Sequence, residues 1–150
     1  MKDNLKDLID HTYGLGNIDL IKVTGTDTET QINAIADDKS VIVSGTFKSP
    51  IADFVGVFGM PNLSKLKTII GFEEYDSEAK INVTKQTNNG VDVPSAIHFE
   101  TKGGDFINDY RLMGGNVVVE RVKRPIMTVT PTFGISFNPT VAAIQRLRKQ

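Results

Sequence analysis

The chain has 150 residues, of which 39% are apolar and 23% charged, so it has the length and composition of a globular protein with one good hydrophobic core. It contains no cysteine, which excludes disulfides, thiolate metal sites and a cysteine nucleophile. No apolar run approaches membrane-spanning length, and the N-terminal MKDNLKDLID lacks a signal-peptide core, so we expect a cytoplasmic protein with no membrane partner.

The net charge of −1 hides a strong asymmetry along the chain. Residues 121–150 carry six Lys or Arg and no Asp or Glu, whereas the first 120 residues hold the other eleven basic residues and all eighteen acidic ones. An acidic body with a basic end can bind a polyanion on one face and repel it elsewhere. The alternative interpretation is a chance cluster of solvated charges.

The first half of the chain predicts one helix followed by four strands. Apolar residues at helical spacing predict a helix from Asp3 to Tyr13, ended by Gly14 and Gly16. From Ile18 the apolar period changes to two, which is typical of antiparallel strands. The predicted strands are residues 18–25, 28–37, 40–47 and 52–59.

The next part of the chain repeats this plan. A second helix is predicted from Pro61, a favoured first helical residue, with Asn62 as its cap and Gly71 at its end. An acidic loop follows, and turn signals at 88–90 and 114–115 then separate further strands. These strands are predicted at residues 79–86, 95–102, 105–113 and 116–123.

Beyond the repeated plan, residues 127–137 are strand-like, and Asn138-Pro139 predicts the cap and first residue of a third helix over 140–150. The sequence therefore predicts an α+β protein. Residues 1–120 form a first domain of one helix plus four strands, twice. Residues 121–125 form a basic connector, and residues 126–150 begin a second domain that is incomplete.

Patterns that carry catalysis are weak in this chain. Gly14-Leu15-Gly16 lacks the third glycine and the preceding strand of a phosphate loop. His11 and His98 are too few to argue for a metal site, and no Ser or Thr stands in a nucleophile motif. The carboxylates of residues 73–78 fit no calcium loop, so a solvated acidic turn is favoured over a hard-cation site. We expect no enzymatic activity, no metal and no cofactor.

The outward helix faces suggest contact with DNA. On the second helix Ser64, Lys65 and Thr68 point away from the apolar stripe with Lys67 on its flank, and on the third Arg146 and Lys149 do so. Small residues between isolated cations suit contact with a phosphate backbone that is independent of base sequence. The alternative is that these faces only aid solubility.

The first helix opposes this interpretation, because its outward face carries Asp3, Asp7 and Asp10 against Lys2 and Lys6. Lys6 is therefore a weaker candidate, and the basic connector is expected to contribute a link between domains. The candidate DNA-binding residues are Lys6, Lys65, Lys67, Arg121, Lys123, Arg124, Arg146 and Lys149.

The order of elements from Asn17 to Phe72, with the passages FGMPNLSKL and SFNPTVAAIQRL, resembles the DNA polymerase sliding clamp of T-even-like phages, including marine phage versions. The resemblance covers nearly all of the chain and rests on pattern and order. It implies a DNA-clamp fold, in which short helices pack on one face of antiparallel β-sheets and line a ring. The ring, a trimer in that family, would encircle double-stranded DNA, be opened by a clamp loader and tether the polymerase. The chain departs from the family by ending inside the second domain.

A β-rich structural protein of a virion or tail, without a DNA-encircling role, is the alternative hypothesis. In such a protein the helices would only cover a sheet. The clamp hypothesis alone requires the basic helix faces to lie on one concave surface. An enzyme would need a pocket with convergent titratable groups, which the sequence does not indicate.

Overall fold

A computed structural model describes residues 1–123 and 132–149. In chain order its helices and strands are α1 (Lys2–Asp10), β1 (Leu20–Gly25), β2 (Thr30–Ile35), β3 (Ile42–Thr46), β4 (Gly56–Pro61), α2 (Leu63–Ile70), β5 (Lys80–Asn88), β6 (Val91–Glu100), β7 (Ile107–Arg111), β8 (Met113–Gly114), α3 (Gly115–Arg121) and α4 (Val141–Lys149). The predicted α+β class is confirmed. None of the described helices has the length and apolar character that crossing a bilayer requires.

The strands form two antiparallel sheets. The larger has the order β3-β2-β1-β4-β8 and the smaller β5-β6-β7. At the centre of the larger sheet, Val23 of β1 lies opposite Ile32 of β2 and Phe58 of β4, and all three side chains are buried. Burial alternates along β1, with Ile21, Val23 and Gly25 buried and the residues between them half-exposed, as the period of two predicts.

The hairpin between β5 and β6 turns at Asn89 and Gly90, which have φ values of 52° and 80°. Positive φ at both central residues is the geometry of a type I′ turn, whose twist matches that of the flanking strands. The predicted turn is therefore confirmed. The second strand begins at Val91, four residues before the predicted start, because the tight turn allows pairing directly from Asn88 to Val91.

Helices α1 and α2 contact each other and bury their apolar faces in one core with the strands. The helical spacing predicted the buried positions correctly. They are Leu5, Leu8 and Ile9 on α1, and Leu63, Leu66, Ile69 and Ile70 on α2.

The two sheets meet through aromatic side chains. The Tyr110 hydroxyl of β7 donates a hydrogen bond to the Pro61 carbonyl at the end of β4. Tyr75 packs with its ring centroid 5.6 Å from Phe99 and 5.4 Å from Phe106. The Tyr110 bond fixes the smaller sheet against the end of β4, and the Tyr75 contacts fix it against the 3-10 turn that follows α2.

The predicted start of α2 is wrong in detail. Pro61 is the last residue of β4, and Asn62 has a left-handed backbone (φ 53°) with no capping hydrogen bond from its side chain. The cap comes from Asp19 instead. Its Oδ1 accepts from Ser64 N at 3.1 Å, and its backbone O accepts from Leu63 N at 3.3 Å. Pairing of β1 with β4 brings this carboxylate to the start of the helix.

The predicted strand 116–123 is also wrong, because residues 115–121 form α3. Three successive valines favour a strand by propensity, but tertiary packing overrides that preference. Val118 and Val122, which are four residues apart, are both buried. Val118 packs directly on Gly59, because a Cβ added to Gly59 would lie only 2.7 Å from the Val118 Cγ2. On the side of β4 away from β1, strand pairing is limited to the two residues of β8.

The predicted third helix is confirmed as α4, with a different cap. Thr140 Oγ1 accepts from Ala143 N at 3.2 Å, so Thr140, and not Asn138, caps the helix. The strand predicted over 127–137 is absent from residues 132–137, and its remaining residues lie outside the described chain. Every residue from 132 to 149 is exposed.

Candidate nucleic-acid interface

Helices α1 and α2 contact each other over one core, and we term their exposed residues together the helix-pair surface. On α2 the residues Ser64, Lys65, Lys67 and Thr68 are exposed, as predicted. The Thr68 hydroxyl donates to the Ser64 carbonyl at 3.0 Å, so this small side chain lies against the helix backbone and does not project from it. A polyanion can therefore approach the helix closely.

Lys65 and Lys67 differ in their surroundings. Within residues 1–123 and 132–149 neither forms an ion pair. The Lys67 Nζ lies 5.4 Å from the centroid of the Tyr13 ring, which belongs to the 3-10 turn after α1. This cation–π contact holds Lys67 over the junction of the two helices. Lys65 has no such contact within the described part of the chain.

The α1 part of the helix-pair surface carries mainly negative charge, which disfavours contact with DNA. Asp3, Asp7 and Asp10 are exposed there beside Lys6. Lys2 does not offset them, because its Nζ pairs with Asp76 at 2.5 Å. The surface thus carries Lys6, Lys65 and Lys67 against three aspartates, and this balance limits it to weak phosphate binding.

None of the remaining candidate residues that the structure describes belongs to α1 or α2. Arg121 is exposed at the last position of α3, and Lys123 pairs with Glu120 at 2.7 Å. Arg146 and Lys149 are exposed on α4, no residue of which is buried against the described chain. Arg124 lies outside the described residues.

The smaller sheet holds a charged cluster that the sequence interpretation missed. His98 Nδ1 lies 2.7 Å from Asp109 Oδ1, and His98 Nε2 lies 3.5 Å from Glu100 Oε2. The hydrogen bond to Asp109 is the main cause that raises the pKa of His98, with a smaller contribution from Glu100. Residues 98 and 100 are two positions apart on β6 and therefore point to the same face of the strand. This spacing was the sequence signal that could have revealed the cluster.

Two carboxylates of the acidic loop pair with lysines from other parts of the chain. Asp76 pairs with Lys2, and Glu78 Oε2 lies 2.6 Å from Lys102 Nζ. Across the described chain, no three His, Asp or Glu side chains group as a metal site would require.

The exposed ammonium groups of the helix-pair surface can attract phosphate groups, and its α2 part carries none of the Arg, Asn or Gln side chains that make bidentate contacts with bases. Its chemistry is therefore electrostatic attraction independent of base sequence. No protein-family model matches the chain, and no curated protein matches it.

Proposed function

We propose that this chain is a subunit of a DNA sliding clamp, a non-enzymatic processivity factor that encircles duplex DNA and tethers the replicative polymerase. The observation that carries the proposal is the packing of α1 against α2 over a shared core, with Lys65 and Lys67 unpaired among the described residues on the outer side. The resemblance in element order supports the same function.

Weak contact suits a clamp. A closed ring stays on DNA by topology, so it needs only enough attraction to centre the duplex and must not bind it tightly. Three lysines opposed by three aspartates meet that requirement, because their phosphate contacts are screened by salt. The polymerase and the clamp loader are the proposed protein partners, and a closed homo-oligomer is the proposed assembly.

The electrostatic part of the proposal is tested by the salt dependence of binding to duplex DNA, measured by fluorescence anisotropy. Each phosphate contact contributes a slope of about −0.9 to the plot of log K against log salt. Replacing both Lys65 and Lys67 with Ala should make the slope shallower by roughly 1.8. Lys85→Ala is the matched control, because Lys85 is exposed on β5 of the smaller sheet.

The encirclement is tested on linear DNA with free ends, to which bulky end-blocking proteins are added after the chain has bound. A ring that has threaded onto the DNA should survive a high-salt wash only when both ends are blocked. Equal loss from blocked and free DNA would contradict encirclement. A slope unchanged by the double substitution would contradict the role of the helix-pair surface.

A further inference from the structure

The turn that follows α1 holds an aromatic ring beside the helix-pair surface. Tyr13 opens this 3-10 turn, and its half-buried side chain packs against the hydrophobic core. Thr12 anchors the turn to α1, because its buried hydroxyl donates to the Leu8 carbonyl at 2.6 Å. Gly16 N closes the turn by donating to the Tyr13 carbonyl at 3.1 Å. The position of the Tyr13 ring is therefore set by the backbone on both sides of it and by the core beneath it.

The two lysines of α2 differ in their relation to this ring. Lys67 Nζ lies 5.4 Å from the centroid of the Tyr13 ring, within the distance of about 6 Å at which an aromatic face attracts a cation. Both lysines are exposed, and Lys65 has no aromatic ring beside its ammonium group among the described residues. Two cations that are two positions apart on one helix thus have different freedom of movement.

This difference affects how strongly each lysine can bind a phosphate. A long side chain loses rotamer freedom when its ammonium group is held by a ligand, and this loss opposes binding. At Lys67 the Tyr13 ring removes part of that freedom before any ligand arrives. The ammonium group has three N–H donors, so a phosphate oxygen can bind on its exposed side while the ring stays in contact with the other.

We propose that Tyr13 is a positioning residue for phosphate binding by Lys67. Its ring holds the ammonium group over the junction of α1 and α2, so that Lys67 contributes more to DNA affinity than Lys65 does. The inference rests on the proposed function, because the ligand is the phosphate backbone of the encircled duplex. It gives an uncharged residue outside both helices a part in DNA binding.

The exposure and the surroundings of Tyr13 favour this role over a purely structural one. Leu8 and Ile9, which anchor the end of α1 in the core, are each only 2% exposed, whereas Tyr13 is half-buried. The exposed aspartates of α1 offset the lysines of the helix-pair surface. With so little net positive charge, the affinity for DNA depends on how well each ammonium group is placed.

The contact is tested first in the unbound protein by NMR. The ring current of Tyr13 should shift the ε-methylene protons of Lys67 upfield relative to those of Lys65, and the Lys67 side chain should be the more ordered of the two. Tyr13→Leu keeps an apolar side chain against the core and should remove both differences. Tyr13→Phe keeps the ring and should retain them. Equal shifts and equal order of the two lysines in the unchanged chain would overturn the proposal, whether or not the leucine variant folds.

The contribution to DNA binding is measured by fluorescence anisotropy with labelled duplex DNA at low salt. Tyr13→Leu should weaken binding by about two- to fivefold, the range expected for an exposed cation–π contact, and Tyr13→Phe should not weaken it. The salt slope should be the same in Tyr13→Leu as in the unchanged chain, because the number of phosphate contacts is the same. Lys67→Ala removes a contact and should make the slope shallower by about 0.9.

Double substitutions separate positioning from a general effect on the fold. Tyr13→Leu should have no further effect on affinity when Lys67 is already Ala, and it should have its full effect when Lys65 is Ala. An equal effect in both backgrounds, or DNA binding that Tyr13→Leu leaves unchanged or strengthens, would overturn this inference alone. The clamp proposal would then stand on the salt slopes of the lysine variants. Absence of any salt-dependent DNA binding by the unchanged chain would overturn both.

Discussion

His98 connects two strands of the smaller sheet through its ring nitrogens. Nδ1 contacts Asp109 on β7, and Nε2 faces Glu100 on its own strand, with Lys80 of β5 lying 3.9 Å from Glu100. The protonated ring satisfies both carboxylates, whereas the neutral ring can donate only one hydrogen bond. Protonation therefore strengthens the link between β6 and β7.

This link predicts a pH-dependent stability. The pKa of His98 is raised above its ordinary value of 6.5, so the stabilisation is complete below that pH and is lost as the pH rises through the folded-state pKa. Urea denaturation at about pH 5.5 and about pH 8.5 should show the chain gaining under about 1 kcal/mol at the lower pH relative to His98→Gln, since the Asp109 side chain is 59% exposed.

The glutamine variant retains His11, so subtracting its pH profile isolates His98. An Asp109→Asn substitution should remove most of the same difference, because Asp109 is the main cause of the raised pKa. Identical pH profiles for the unchanged chain and His98→Gln would show that the ion pairs contribute nothing to folding.

Among the elements, α2 depends on a cap from outside its own sequence. Replacing Asp19 with Ala leaves the Ser64 N–H without its acceptor and should lower the free energy of unfolding by about 1 kcal/mol. Asp19→Asn keeps an acceptor oxygen and should cost less. Urea denaturation of the two variants checks this, and equal losses would mean that the carboxylate charge matters more than the hydrogen bond.

The early elements could be predicted because their signals are local. The apolar spacing of α1, the alternation of β1 to β3 and the Asn89-Gly90 turn each express their preference within a few residues. The cap of α2 could not be predicted in this way. Asp19 and Ser64 are 45 positions apart, and only the β1–β4 pairing brings them together.

For helix α3 the prediction failed for the opposite reason, because a strong local preference for a strand was overridden. Val117, Val118 and Val119 favour a strand, yet only Val118 of the three is buried, while the other two are 47% and 45% exposed. In a helical conformation Val118 and Val122, one turn apart, both point into the core, and this burial outweighs the strand preference of the three valines. For the candidate site, helical spacing predicted the exposure of Lys65 and Lys67, but not the contact with Tyr13.

For the whole molecule, the described core lies between Leu5 and Val122, and residues 132–149 contribute no buried side chain. Deleting residues 132–150 should therefore leave the melting temperature unchanged at low protein concentration. Calorimetry checks this, and a lower melting temperature of the shortened chain in dilute solution would contradict the independence of the core.

The positions of β3 and β8 at opposite edges of the larger sheet also determine how these two edges are oriented. Neighbouring strands rotate by roughly −20° to −25° relative to each other, so the four steps from β3 to β8 amount to about 80–100°. The two edge strands therefore cross at close to a right angle, and the two sides of the sheet present their edges in different directions.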